Sequence, residues 1–277
     1  MSGQSGAGRA APDLGGSDPD RPDIAAIADR LRSAYAGASI DPLTTTYPGL
    51  TMDDAYAVQQ RQTELRLASG GVICGFKIGL TSAAMQQQLN VDQPDYGHLF
   101  TDMVYAADSP IATSAFLQPR AEPEIALVLG APLTGPGLSV ADVLRATEYV
   151  LPAIEIIDSR ITDWRIGLVD TIADNASSGG LVLGTKSTTV AGLDLSLLGC
   201  VFRRNGRIEY TGAGAAVMGS PLYAATWLAN TLTARGAQLE AGHIILTGSM
   251  TAAVPVRAGD TATATIDQLG SVTAVFD

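Results

Sequence analysis

The chain has 277 residues, enough for one large domain or two small ones, and its 46% apolar content supports a sizeable core. A formal net charge of −11 excludes the electrostatic footprint of nucleic-acid or anionic-membrane binding, so an anionic substrate would need a metal or a placed Lys or Arg. Two distant cysteines, Cys74 and Cys200, each beside apolar residues, read as reduced thiols of a cytoplasmic protein; no CxxC or His cluster suggests zinc, and no apolar run is long enough for a membrane span.

Residues 1–22 are rich in Gly, Ser, Ala, Asp and Pro. They cannot bury enough surface to offset ordering entropy, and are expected to form a flexible tail. Ile24, Ile27 and Leu31 recur at helical spacing behind Asp23, a plausible N-cap, predicting a helix to about Tyr35. After a loop over Pro42–Pro48, Thr51-Met52-Asp53-Asp54 opens a second helix, ended near Ser69 by Gly70-Gly71. Val72–Thr81 reads as a strand. Lys77 shares one of its faces with Gly75 and Gly79, and Phe76 and Ile78 take the other. Glycines leave room for a ligand, so Lys77 is a candidate for proton transfer, with a snorkelling surface lysine as the alternative. A helix is expected over Ser82–Leu89 and a loop over Asn90–Phe100. That loop offers Asp95 as a general acid or base, or merely as a turn residue. His98 and His243 each read as structural.

Carboxylates dominate the next stretch. Glu124–Leu129 reads as a buried strand, and alternation puts Glu122 and Glu124 on one face with Pro123 on the other. Like charges this close repel unless a cation lies between them. Glu155 lies inside another apolar run, Pro152–Ile157, opposite in face to Ile154 and Ile156. Burying it alone is costly, and a hard cation such as Mg²⁺ or Mn²⁺ shared with Glu122 and Glu124 would offset the cost. Asp158, at the strand end, is a rival ligand.

Beyond Met103 short strands dominate: Gly180–Leu183, Cys200–Arg204, Ile244–Thr247, Thr261–Ile266 and Val272–Phe276 join the two already named. Helices are expected over Val140–Val150 and Pro221–Arg235, and Asn205-Gly206 signals a hairpin. The loop Asp170–Gly180 and the run Leu246-Thr247-Gly248-Ser249 place hydroxyls that could surround a carboxylate, making Ser177 and Thr247 candidate substrate-binding residues. The mixture is α/β with substantial antiparallel content, and no phosphate-binding glycine loop supports a nucleotide.

In combination, Gly75-Phe76-Lys77-Ile78-Gly79-Leu80-Thr81, Val91–Gly97, Glu122-Pro123-Glu124, Pro152-Ala153-Ile154-Glu155, Asp174-Asn175-Ala176-Ser177 and Ile245–Gly248 resemble the 2-keto-4-pentenoate (2-hydroxypenta-2,4-dienoate) hydratases. These group with the 4-oxalocrotonate decarboxylases inside the fumarylacetoacetate hydrolase superfamily. The resemblance covers roughly residues 23–277. It implies Mg²⁺ or Mn²⁺ held by Glu122, Glu124 and Glu155, catalytic roles for Lys77 and Asp95, and a homo-oligomer. It also implies a helical N-terminal part, 23–102, carrying Lys77 and Asp95, and a β-rich metal-binding domain, 103–277. The expected activity is metal-dependent hydration of a 2-hydroxy-2,4-dienoate to a 4-hydroxy-2-oxo acid, as in meta-cleavage catabolism of aromatic or steroid rings. Association with other enzymes of such a pathway is an accompanying expectation. The alternatives are a 4-oxalocrotonate-type decarboxylase and a non-catalytic partner subunit.

Overall fold

A computed structural model describes residues 22–83, 86, 87, 91 and 93–277; the expected tail lies almost wholly outside these, as does much of the helix expected over Ser82–Leu89. Helix α1 (Ile24–Ala34) starts where the Asp23 carboxylate accepts the Ala26 N–H at 3.0 Å, and buries Ile27 and Leu31. The short α2 (Leu43–Thr46) lies within the expected loop. Helix α3 (Met52–Ala68) opens on a reciprocal cap between Thr51 and Asp54, which places acidic groups at the positive helix end.

Strands β1 (Ile73–Gly79), β2 (Asp95–Phe100), β3 (Val104–Tyr105), β4 (Pro110–Ile111), β5 (Arg120–Leu129), β6 (Thr147–Ile157) and β7 (Ser178–Leu183) follow, with α4 (Val140–Ala146) and α5 (Leu168–Ala173) interposed. Next come β8 (Gly199–Arg204), β9 (Arg207–Ala213), α6 (Pro221–Ala234), β10 (Ile244–Ser249), β11 (Val254–Pro255), β12 (Thr261–Ile266) and β13 (Gly270–Phe276). The larger sheet runs β2-β1-β10-β5-β6-β7-β3, with β11 added beside β5; the smaller runs β4-β13-β12-β8-β9. Pairs β1–β10 and β3–β7 are parallel, and the rest of the larger sheet is antiparallel. The fold is thus mixed α/β, with a small helical N-terminal part on a sheet-rich body. Strands β1 and β2, which carry Lys77 and Asp95, pair directly into the same sheet as β5 and β6.

Helices α1, α3, α5 and α6 bury one apolar cluster with Phe76, Ile78, Leu127 and Ile245 of the larger sheet. The smaller sheet packs Phe202, Ala264 and Val272 against Ile154, Ile156 and Val182. The larger sheet curls until β2 touches β7, and the turn Asn175–Ser177 fills the seam between them. Asn175 substitutes for a strand there: its amide accepts the His98 N–H at 2.7 Å and donates to the His98 carbonyl at 2.9 Å.

Three sequence expectations need correction. Asp95–Phe100 is a fully buried strand, not a loop; Pro94 and Gly97 signal a turn, but pairing with β1 and Asn175 overrides them. The helix expected to reach Val150 stops at Ala146, because β-branched Thr147 and Val150 already belong to β6. The loop Asp170–Gly180 holds the end of α5, a tight turn and the start of β7.

Candidate metal centre and proton-transfer site

The register of β5 against β6 sets Glu122 directly opposite Glu155, and Glu124 opposite Ala153. Like charges facing each other across a ladder destabilise it. Ligand atoms of Glu122, Glu124 and Glu155 nevertheless lie within 4.8 Å of one another. Glu124 and Glu155 are fully buried. Burial, reinforced by Glu155, pushes the Glu122 carboxyl up to about 7. Burial and the two neighbouring carboxylates push Glu124 well above the usual carboxyl range, against the 2.8 Å hydrogen bond its Oε2 accepts from Gly248 N–H. Burial also raises Glu155, against the pull of Lys77.

Glu124 Oε1 and both Glu155 oxygens accept no aligned hydrogen bond among the described residues. Buried carboxylate oxygens are normally saturated with donors. Among the described residues the cation paired with them is Lys77, 3.3 Å from Glu155 Oε1, so the three carboxylates when ionised carry two charges in excess. Three hard oxygen ligands with orphaned lone pairs, whose raised pKa values show that ionising them together needs a further positive charge, fit a divalent cation such as Mg²⁺ or Mn²⁺. The rival ligand Asp158 is spent elsewhere: it accepts N–H bonds from Leu117 and Gln118, and Arg160 lies 3.8 Å away.

Lys77 is buried, and its Nζ donates to the Ala176 carbonyl at 2.9 Å. Burial alone would lower its pKa; Glu155, then Asp95, Glu122 and Glu124 outweigh that and hold it protonated. Asp95 is also buried. Its Oδ2 accepts the Thr171 hydroxyl at 3.0 Å, and its Oδ1 has no aligned donor. Burial raises its pKa and Lys77 lowers it. Gly79 is what lets these two groups converge: a Cβ there would lie 2.1 Å from Asp95 Oδ1 and 3.4 Å from Lys77 Nζ. Gly248 is likewise obligatory. Its φ of +115° and a Cβ position 2.2 Å from Thr81 Oγ1 admit no side chain, and its N–H is the donor that aims Glu124.

A cavity of about 270 Å³ opens onto these groups, lined among others by Lys77, Asp95, Glu122, Thr171 and Ser177. Ser177 is thus part of the cavity wall. Thr247 does not line the cavity: it is fully buried and its hydroxyl donates to the Ile125 carbonyl at 2.8 Å, while Ser249 and Thr251 of the same region reach the wall. His98 is buried against Phe76, with Nδ1 3.3 Å from Thr63 Oγ1; His243 Nδ1 accepts the Glu240 N–H. Neither histidine lines the cavity.

The sequence reading missed Thr171, Arg120, Trp164 and the Ala176 carbonyl. Only Arg120 carried a local signal, continuing the alternation of Glu122 and Glu124. The Ala176 carbonyl depends on an arch: Asn175, Ala176 and Ser177 all have positive φ, near 50°. Buried Arg160 holds that arch, bonding the Asp174 carboxylate through Nε and the carbonyls of Asp174 and Ser178 at 2.7 and 3.2 Å. Asp174 in turn accepts the Ser177 hydroxyl at 3.2 Å.

The profile of the fumarylacetoacetate (FAA) hydrolase C-terminal family matches residues 73–276. The chain is 47% identical over 246 residues to a 2-keto-4-pentenoate hydratase of Paraburkholderia xenovorans, covering 89% of this chain and 91% of that one. It is 44% identical over 250 residues to a 2-hydroxyhexa-2,4-dienoate hydratase of Comamonas testosteroni, covering 90% and 94%. Among solved structures, 4-oxalocrotonate decarboxylase from Pseudomonas putida G7, complexed with magnesium and adipate, superposes with a TM-score of 0.88 at 39% identity, covering 92% and 97%.

Proposed function

This chain belongs to the 2-keto-4-pentenoate hydratase family of the fumarylacetoacetate hydrolase superfamily, and from that premise we propose that it hydrates 2-hydroxypenta-2,4-dienoate or a close homologue to a 4-hydroxy-2-oxo acid. It is thus a hydro-lyase acting on an organic acid of the kind formed by ring meta-cleavage. One observation carries the reading: three clustered carboxylates suited to a divalent cation meet, through Glu122, a cavity that Lys77 and Asp95 also line.

Glu122, Glu124 and Glu155 would hold Mg²⁺ or Mn²⁺, which when bound supplies Lewis-acid polarisation of the substrate's 2-oxygen and carboxylate. Lys77 and Asp95 carry the proton transfers. The enol hydroxyl gives up its proton as one of them delivers a proton to C5, converting the dienol to a 2-oxo-3-enoate; the other takes a proton from the water whose oxygen adds at C4, and a proton returned to C3 completes the hydration. The charge-paired Lys77 keeps its proton in the resting site, and burial makes Asp95 a more willing proton carrier than a surface carboxylate. Gly79 keeps the space between them and the substrate clear. Ser177 lines the same cavity, and its hydroxyl, which donates to Asp174 in the resting site, would have to turn from that carboxylate to donate to the bound acid.

The similarity to a decarboxylase structure favours one second reading, loss of CO₂ from a 2-oxo-hexenedioate. The test is loss of the dienol ultraviolet absorbance, with and without EDTA, with product identification. EDTA-sensitive formation of the 4-hydroxy-2-oxo acid is expected. CO₂ release from the six-carbon diacid without water addition to the dienoate would establish the decarboxylase instead.

A further inference from the structure

Arg120, two residues before Glu122 on the same face of β5, lines the cavity and is only partly exposed. Its guanidinium carbon stacks 4.5 Å above the Trp164 ring, which also lines the cavity. Among the described residues its side chain makes no hydrogen bond or close ion pair, and Glu122 reaches it only through its field. Partial burial removes solvent from a group with five N–H donors, and no acceptor among the described residues replaces it. Stacking on an indole fixes the planar fork while leaving its edge free for a carboxylate. Exposure along β5 grades from Glu124, fully buried, to Glu122 and Arg120, both partly exposed. Successive same-face positions lie roughly 7 Å apart on a strand, so Arg120 stands one step outward of the carboxylate cluster.

We propose that Arg120, held by Trp164, is a carboxylate-binding residue of this cavity and a determinant of which 2-oxo acids enter it. The proposal rests on reading the cavity as a 2-oxo acid site. Two carboxylates could supply the ligand: the one beside the 2-oxo group, or a second one at the far end of a diacid.

The test uses full-length protein loaded with Mg²⁺ and two unreactive probes, 2-oxopentanoate and 2-oxohexanedioate, titrated by calorimetry. Arg120→Gln is expected to weaken binding by about 10- to 100-fold, the range for a lost charge-assisted hydrogen bond, with Arg120→Lys recovering part of it. Equal loss for both probes assigns Arg120 to the carboxylate beside the 2-oxo group; loss confined to the diacid assigns it to the far one. Unchanged affinity for both overturns the proposal. Trp164→Leu removes the stack without touching a charge and should give a smaller loss in the same probe; if Arg120→Gln fails to fold, no effect of Trp164→Leu overturns the proposal. Wild-type protein that binds the probes through Arg120 yet leaves the dienoate unchanged would sink the hydratase reading and leave this one standing.

Discussion

Lys77 Nζ meets one carbonyl, Ala176, and one carboxylate, Glu155, so its position is set by the fold and its charge by the site. If it transfers a proton, Lys77→Ala should cut turnover about 10²- to 10⁴-fold, the usual range for general acid–base catalysis, with a smaller change in KM. Lys77→Arg should not restore turnover, because guanidinium does not readily give up a proton. Steady-state kinetics on the dienoate check both, and near-normal turnover in the alanine variant would remove Lys77 from the chemistry. His98 supports a different measurement. Burial lowers its pKa from 6.5 to about 4, so the folded protein keeps it neutral where the unfolded chain protonates. Its contribution to stability is fully present above pH 6.5 and is lost as pH falls towards 4, by about 1.4 kcal/mol per unit. Denaturant melts at pH 7 and pH 5 should differ less in His98→Gln than in wild type. The roles of these residues were unequally legible. Alternation placed Lys77 between two glycines on one face, but only the fold shows that Gly79 makes room for Asp95.

At the scale of the element, the turn from Asp174 to Ser177 joins the helical layer to the sheet. Three consecutive left-handed residues other than glycine are unfavourable, and the buried Arg160–Asp174 pair is what over-determines them. Asp174→Asn leaves Arg160 buried with weakened compensation. Breaking such a pair costs about 3–5 kcal/mol, which thermal or denaturant unfolding would register. Turnover should fall as well, because the Ala176 carbonyl that holds Lys77 rides on the same turn. Normal activity in a folded Asp174→Asn protein would show that the arch does not position Lys77. This element was illegible in the sequence, where its small polar residues read as an ordinary loop. Strand β2 was hidden for a related reason: one of its partners is the Asn175 side chain, and no periodicity reports a side-chain amide acting as a strand.

Across the whole molecule, the acidic cluster sets stability against function. Three carboxylates this close, two of them fully buried, repel one another when ionised and oppose folding, and a cation bound between them would relieve that cost. Removing metal with EDTA should therefore lower the melting temperature, and added Mg²⁺ or Mn²⁺ should raise it by mass action. Glu124→Gln removes one of the repelling charges. It should raise the melting temperature of the metal-free protein while weakening metal affinity in calorimetry; unchanged affinity would exclude Glu124 as a ligand. The fold class was legible as a mixed α/β pattern, and the Glu122–Glu124 pair as a period of two. The curl that brings β1 to β6 was not, because it depends on pairings between distant parts of the chain.

Strand β1 lies between β2, its near neighbour in the chain, and β10, which is made after every other strand of the larger sheet except the short β11. On the ribosome, one side of β1 keeps an open row of backbone donors and acceptors until Ile244–Ser249 has emerged. The Gly248 N–H that aims Glu124 arrives with that same segment. Synthesis thus withholds this donor of the charged centre until after the strands that carry Lys77, Asp95 and the three glutamates, so the pocket is completed by a long-range pairing that forms after its carboxylates are already in place.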